Sequence, residues 1–292
     1  MPLHHLLLAL AVVFVWGTNF VVIKWGLAEF PPFLLAGLRF LFTAVPLVFI
    51  FPRPAVPWRR LAAFGALLGA GQFGLLFLAM QHDISPGLAS LVIQSQVFMT
   101  IAMALGSSGE RLRGLQVGAM AVAVAGVAII GWHSVGAGRS SVTPLGLAMV
   151  LAAAASWSGA NMIARAAGRV NVIAFLAWSS PFSLPPLLAL ALWQSGPAGL
   201  AQALAHASWV GWSAVAWQTV GNTLFGYGAW NWLLARYPAA TVTPTALLVP
   251  VFGMGASAWL LGEALPGWKL LAAALVMAGL ALNTLASRVP RR

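Results

Sequence analysis

The sequence predicts an all-α integral membrane protein of ten transmembrane helices, arranged as two inverted five-helix repeats with the N- and C-termini cytoplasmic. Three observations predict it: a composition that is 61% hydrophobic and 7% charged, a series of long apolar runs, and a segment that occurs twice. A soluble domain carries roughly a quarter charged residues. In hydrocarbon the backbone must satisfy its own hydrogen bonds, which leaves helices or closed barrels. Runs of about 20 residues at 1.5 Å each cross a ~30 Å core, and the absence of period-two alternation selects helices.

The runs cover residues 6–24, 32–51, 61–81, 87–106, 114–132, 144–165, 171–193, 209–235, 241–261 and 267–287. The first is a retained helix rather than a signal peptide. It lacks a charged n-region, with only His4 and His5 ahead of it, and Trp16-Gly17-Thr18-Asn19 is no small-residue cleavage site. The second holds Arg39, the one charge clearly inside a span, and Pro46. The third carries Gly65 and Gly69, a G-x-x-x-G pair that lets helices approach closely, and Gln72. The fourth contains Gln94, Ser95, Gln96 and Thr100, and the fifth is a Gly/Ala/Val run. The sixth has Trp157 and Asn161, and the seventh has Trp178 with Pro181, Pro185 and Pro186. A small, polar connection is predicted over 194–208, the longest in the chain. The eighth run carries Trp217, Gln218, Asn222 and Tyr227, and Gly221, Gly226 and Gly228 weaken it. The ninth places Thr241, Thr243 and Thr245 beside Pro244, with Pro250 further on. These prolines remove backbone donors and should kink their helices.

Residues 107–133 and 260–286 are two versions of one segment: Gly109, Glu110, Gly114 and Gly126 match Gly262, Glu263, Gly267 and Gly279, 153 positions apart. Trp16 and Lys24 likewise match Trp157 and Arg165, 141 positions apart. Five helices per copy is an odd number, so the second copy must be inverted about an axis in the membrane plane. The predicted units are residues 1–133 and 144–292, packed as one membrane domain.

Orientation follows from the basic residues. With the N-terminus inside, cytoplasmic loops and ends hold Arg53, Arg59, Arg60, Arg111, Arg113, Arg165, Arg169, Arg236, Arg288, Arg291 and Arg292. The opposite side holds Lys24, Arg139 and Lys269. The net charge of +11 is thus spread over loops, with no basic stripe, and no nucleic-acid partner is expected.

Polar side chains at membrane depth are costly and usually face a bundle interior or cavity. The substrate-facing candidates are Trp16, Asn19, Gln72, Gln94, Gln96, Trp157, Asn161, Trp178, Trp217, Gln218, Asn222 and Tyr227. The competing reading is that the amides glue helices together at ~0.6–2 kcal/mol each and the indoles only pack. Trp25, Trp58, Trp132, Trp193, Trp209 and Trp268 fall near span ends, where indoles anchor. Arg39 either snorkels outward or holds a substrate carboxylate, and Lys24 is read as snorkelling.

All four acids (Glu29, Asp83, Glu110 and Glu263) lie in or beside loops, so no mid-span carboxylate is available for proton or sodium coupling. Glu110 and Glu263 each precede a helix start, where the dipole favours a carboxylate. The histidines (His4, His5, His82, His133 and His206) lie at ends or loops, and the chain has no cysteine. No catalytic constellation, metal spacing or phosphate loop is apparent, so neither an enzyme nor a cofactor or metal site is expected.

Trp16-Gly17-Thr18-Asn19-Phe20, with the Gly109-Glu110 and Leu261-Gly262-Glu263 corners, resembles the EamA branch of the drug/metabolite transporter superfamily over residues 6–133 and 144–287. The second copy departs from the pattern in reading Trp157-Ser158-Gly159-Ala160-Asn161. The chain looks closest to bacterial amino-acid exporters of the YddG kind. The resemblance implies an inner-membrane exporter of neutral and aromatic amino acids, working by alternating access around a central cavity. With no mid-span carboxylate, ion coupling is not expected. A broader drug/metabolite efflux transporter, proton-coupled or not, is the alternative. The implied partners are small-molecule amino-acid substrates and membrane lipid, with a monomer or a homodimer as the assembly.

Overall fold

A computed structural model describes residues 1–108, 114–135, 141–168 and 170–288. The helices are α1 (Leu3–Leu27), α2 (Pro32–Ile50), α3 (Trp58–His82), α4 (86–108), α5 (Gly114–Ser134), α6 (Pro144–Ala166), α7 (Val172–His206), α8 (209–236), α9 (239–261) and α10 (Gly267–Arg288). Among the described residues, nine helices are long and apolar enough to cross a membrane, all of these except α8. Gln218, Thr219, Asn222, Thr223 and Asn231 dilute its apolar content. Gly109, Glu110, Arg111, Arg113, Arg139, Arg169, Arg291 and Arg292 lie outside the described residues.

Local chemistry sets the helix ends. Pro32, Pro86 and Pro144 each open a helix, where the missing N–H costs nothing. Thr143, Asn171 and Ser208 cap α6, α7 and α8, each side chain accepting from a backbone N–H of the first turn. Gly262 ends α9 with φ 66°, a left-handed conformation that glycine tolerates best. The sequence-predicted connection at 194–208 is largely helical instead: α7 runs on to His206, broken at Gly196 (φ 64°). Glycine permits that angle, and Pro197 is preset to restart a helix.

Four helices change winding midway. A π turn occupies Leu67–Gly74 in α3, and another occupies Trp217–Phe225 in α8. A 3-10 turn occupies Ile93–Ser95 in α4, and another occupies Thr243–Leu247 in α9. Leu67 and Ile93 each lie 150 positions before Trp217 and Thr243.

Contacts between the two halves come in mated pairs. α1 packs on α8 and α9, while α6 packs on α3 and α4; α2 packs on α7, and α5 on α10. In the last pair Gly126 abuts Ala272 and Val276, and Gly279 abuts Ala119 and Ala123. Residues rise along α5 as their partners fall along α10, so the two helices are antiparallel. Gly17 of α1 sits against the Val249 carbonyl of α9; at the mated place Ser158 donates to the Gln96 carbonyl at 2.9 Å. Gly65 and Gly69 bring α3 against Ser179–Ser183 of α7, and the Ser183 hydroxyl donates to the Gly65 carbonyl at 2.7 Å.

Two charges read as peripheral have definite partners. Lys24 does not snorkel: its Nζ donates to the Met80 and Gln81 carbonyls, both at 2.9 Å, at the end of α3. A cation there meets the unsatisfied carbonyls and the negative end of the dipole. Glu263 serves the start of α4 rather than of its own helix. It accepts from the Gly87 N–H and the Ser85 hydroxyl, from Ser257, and from Lys269 at 2.8 Å. Burial alone would raise its pKa, but these bonds and the Lys269 charge bring it below the ordinary carboxylate value. Glu29 accepts from the Ser208 N–H and hydroxyl at the start of α8, which also lowers its pKa.

Candidate functional site

The altered windings surround a cavity of about 500 Å³, inside the ~300–1,000 Å³ range of small-molecule sites. α1 contributes Trp16, Asn19, Phe20 and Ile23 to its wall, and α3 contributes Gln72, Phe73 and Leu76. α4 supplies Ile93, Gln94, Gln96 and Val97; α6 supplies Trp157 and Asn161. α8 gives Asn222, Tyr227 and Trp230; α9 gives Thr243, Ala246, Leu247 and Val249; α10 gives Leu280, Asn283 and Thr284. Asn161, Trp230 and Thr284 each lie within about two turns of their helix ends. The cavity therefore reaches toward the end of the bundle where α6, α8 and α10 finish.

The windings are what turn amides inward. A π turn adds a residue to the ring and shifts the register of everything beyond it. Gln72 and Asn222 sit inside the two π turns, and Gln94 sits in the 3-10 turn of α4. Opposite them, Asn161 Nδ2 donates to Gln96 Oε1 at 3.0 Å, which also accepts from Thr100 at 3.4 Å. The Trp16 indole donates to the Asn222 carbonyl at 3.2 Å and lies against Tyr227 and Trp230. It fills space that any side chain at Gly226 would need.

Of the twelve substrate-facing candidates, nine reach the cavity: Trp16, Asn19, Gln72, Gln94, Gln96, Trp157, Asn161, Asn222 and Tyr227. Trp178 does not. Its indole donates to the Phe51 carbonyl at 2.9 Å and packs beside Trp58, at the α2 end. Trp217 does not either; its ring lies across Gly221 on the flank of α8. Gln218 is fully buried behind the wall, where Asn19 Nδ2 and Arg39 both donate to its Oε1, at 3.3 and 3.2 Å.

Arg39 neither snorkels nor borders the cavity. It is 2% exposed, donates to Gln218 and, at 3.1 Å, to Thr223, and its guanidinium lies 3.7 Å from the centre of the Phe73 ring. Phe73 and Asn19 are wall residues, so the charge sits one side chain behind the wall. Sequence reasoning missed Asn283, Thr284 and Trp230. Asn283 was open to the same depth argument as the other amides, since it interrupts an apolar run.

The EamA-like transporter family model matches residues 4–132 and again residues 144–285. The chain is 40% identical over 288 residues to a protein of Salmonella typhimurium (strain LT2) named a probable amino-acid metabolite efflux pump, covering 97% of this chain and 96% of that one. A protein of the same name from Escherichia coli (strain K12) is 39% identical over 285 residues, covering 96% and 95%. A solved crystal structure shares the fold, with a TM-score of 0.61 over 99% of both chains at 21% identity.

Proposed function

We propose, on the premise that this chain belongs to the EamA-like transporter family, that it exports neutral and aromatic amino acids from the bacterial cytoplasm across the inner membrane. The observation that carries the reading is the cavity: amides from four helices face indoles and aliphatic chains, and no carboxylate is among its described lining residues. Amides can pair with both ends of a zwitterion without favouring a net charge, and Trp16, Trp157 and Trp230 offer apolar surface to a bulky side chain. The names of the two bacterial efflux relatives point the same way.

The proposed architecture is ten membrane helices in two inverted five-helix halves, residues 1–133 and 144–292, with both termini cytoplasmic. The mated contacts and the antiparallel α5–α10 pair support inversion, and the excess of basic residues on one side supports the orientation. In that orientation the cavity reaches toward the cytoplasm, and Lys24 and Glu263 close the outer side. Transport runs by rocking between this state and its outward mate. It runs without ion coupling, because no carboxylate among the described residues lies mid-span.

Purified protein in proteoliposomes tests this. Saturable flux of labelled leucine, phenylalanine and tryptophan that equilibrates with or without a pH gradient is expected. Accumulation driven by the gradient would overturn the uncoupled mechanism. The indole-lined wall also suits broader metabolite or drug efflux, and inhibition by hydrophobic cations but not by amino acids would select that reading instead.

A further inference from the structure

Arg39 is a buried charge with only neutral partners. Its bonds go to an amide and a hydroxyl, and Phe73 covers its face. The one ion pair among the described residues, Lys269–Glu263, involves other groups. A guanidinium is not deprotonated in a protein, so the positive charge stays. Bare charges at membrane depth are expensive and mark function more often than packing.

The surroundings are also incompletely satisfied. Arg39 Nε, Gln218 Nε2, Asn19 Oδ1 and Gln72 Oε1 are all buried without a hydrogen-bond partner. Arg39 can only donate, so it holds the Gln218 oxygen toward itself. Asn19 donates to that same oxygen, which fixes the Asn19 amide where it meets the cavity. The charge thus acts on the cavity in two ways, through its field and through the Gln218–Asn19 relay.

We propose that Arg39 is a positioning residue that makes this cavity discriminate against net-positive substrates, accepting zwitterions whose carboxylate offsets its charge and rejecting amines that lack one. The inference rests on the export reading above and names the charge class that the site takes. A unit charge about 8 Å away across a medium of effective dielectric near 20 alters binding by an order of magnitude or more.

The test uses leucine and leucinamide, which share a side chain but differ by the carboxylate, as competitors of labelled leucine flux in proteoliposomes. Wild-type protein is expected to favour leucine over leucinamide by at least about tenfold. Arg39→Met should bring that ratio near unity, while Arg39→Lys, which keeps the charge, should largely restore it. If Arg39→Met does not fold, Thr223→Asp sets a carboxylate against the guanidinium without removing it, and the ratio should again collapse. A ratio unchanged in a folded, transporting Arg39→Met or Thr223→Asp protein would overturn the inference and make Arg39 structural. Absence of leucine flux in folded wild-type protein would overturn the export reading itself.

Discussion

Gly126 and Gly279 hold reciprocal positions in the α5–α10 interface: each is pressed against the partner helix four and eleven residues from... the place its counterpart occupies, Gly126 on Ala272 and Val276, Gly279 on Ala119 and Ala123.

 The spacings are three and seven residues, not four and eleven: Val276 and Ala272 precede Gly279 by those steps, and Ala123 and Ala119 precede Gly126 by the same steps. A two-fold relation between the helices makes one glycine's surroundings a copy of the other's.

Gly126→Leu and Gly279→Leu should therefore destabilise the protein alike, by about 1–3 kcal/mol each, because either side chain must push the backbones apart. Gly118→Leu, on α5 but facing open space, is the control and should be near neutral. Thermal unfolding in detergent reads all three.

Gly226→Leu should abolish most transport while the protein still folds. The added side chain takes the space of the Trp16 indole and drives it from the cavity wall. Flux and Trp fluorescence measured on one sample check this, and retained flux would show that the Trp16 position does not matter.

Asn161→Leu should raise the KM for amino-acid flux about tenfold and lower stability by no more than about 1 kcal/mol, since membrane hydrogen bonds are individually weak. Concentration-dependent flux and a melting curve separate the two effects.

Glu263 predicts an acid dependence of stability. Its folded pKa lies below the unfolded value of 4.5, so its contribution is complete well above pH 4.5 and is lost as pH falls through the lowered folded value. Glu263→Gln should be less stable than wild type at neutral pH, and the difference should shrink on acidification below that value. Unfolding midpoints of both proteins between pH 3 and 7 provide the check; a constant gap would rule the linkage out.

Much of this fold could be read from residue types. Long apolar runs marked the helices, and the matched Trp16/Trp157 and Gly126/Gly279 positions revealed the repeat. Depth alone then pointed to amides such as Gln72 and Asn161, because a polar group in an apolar run has few places to go. Depth does not give direction. Gln218 and Asn222 share one face in a regular α-helix, yet only Asn222 reaches the cavity, because the π turn between Trp217 and Phe225 changes the register. Arg39 looked like a charge that would reach for water, but its partners come from α8, and nothing in α2 itself announces them.

A π turn contains one residue more than the α turn it replaces. Deleting a single residue within 67–74 or 217–225 would let the helix close into regular winding, turning all that follows by ~100°. Such a deletion would swing Leu76 or Tyr227 off the cavity wall without touching either. For this chain, length at those two places is itself a determinant of what is bound, and a change in substrate could arise from losing a residue as readily as from replacing one.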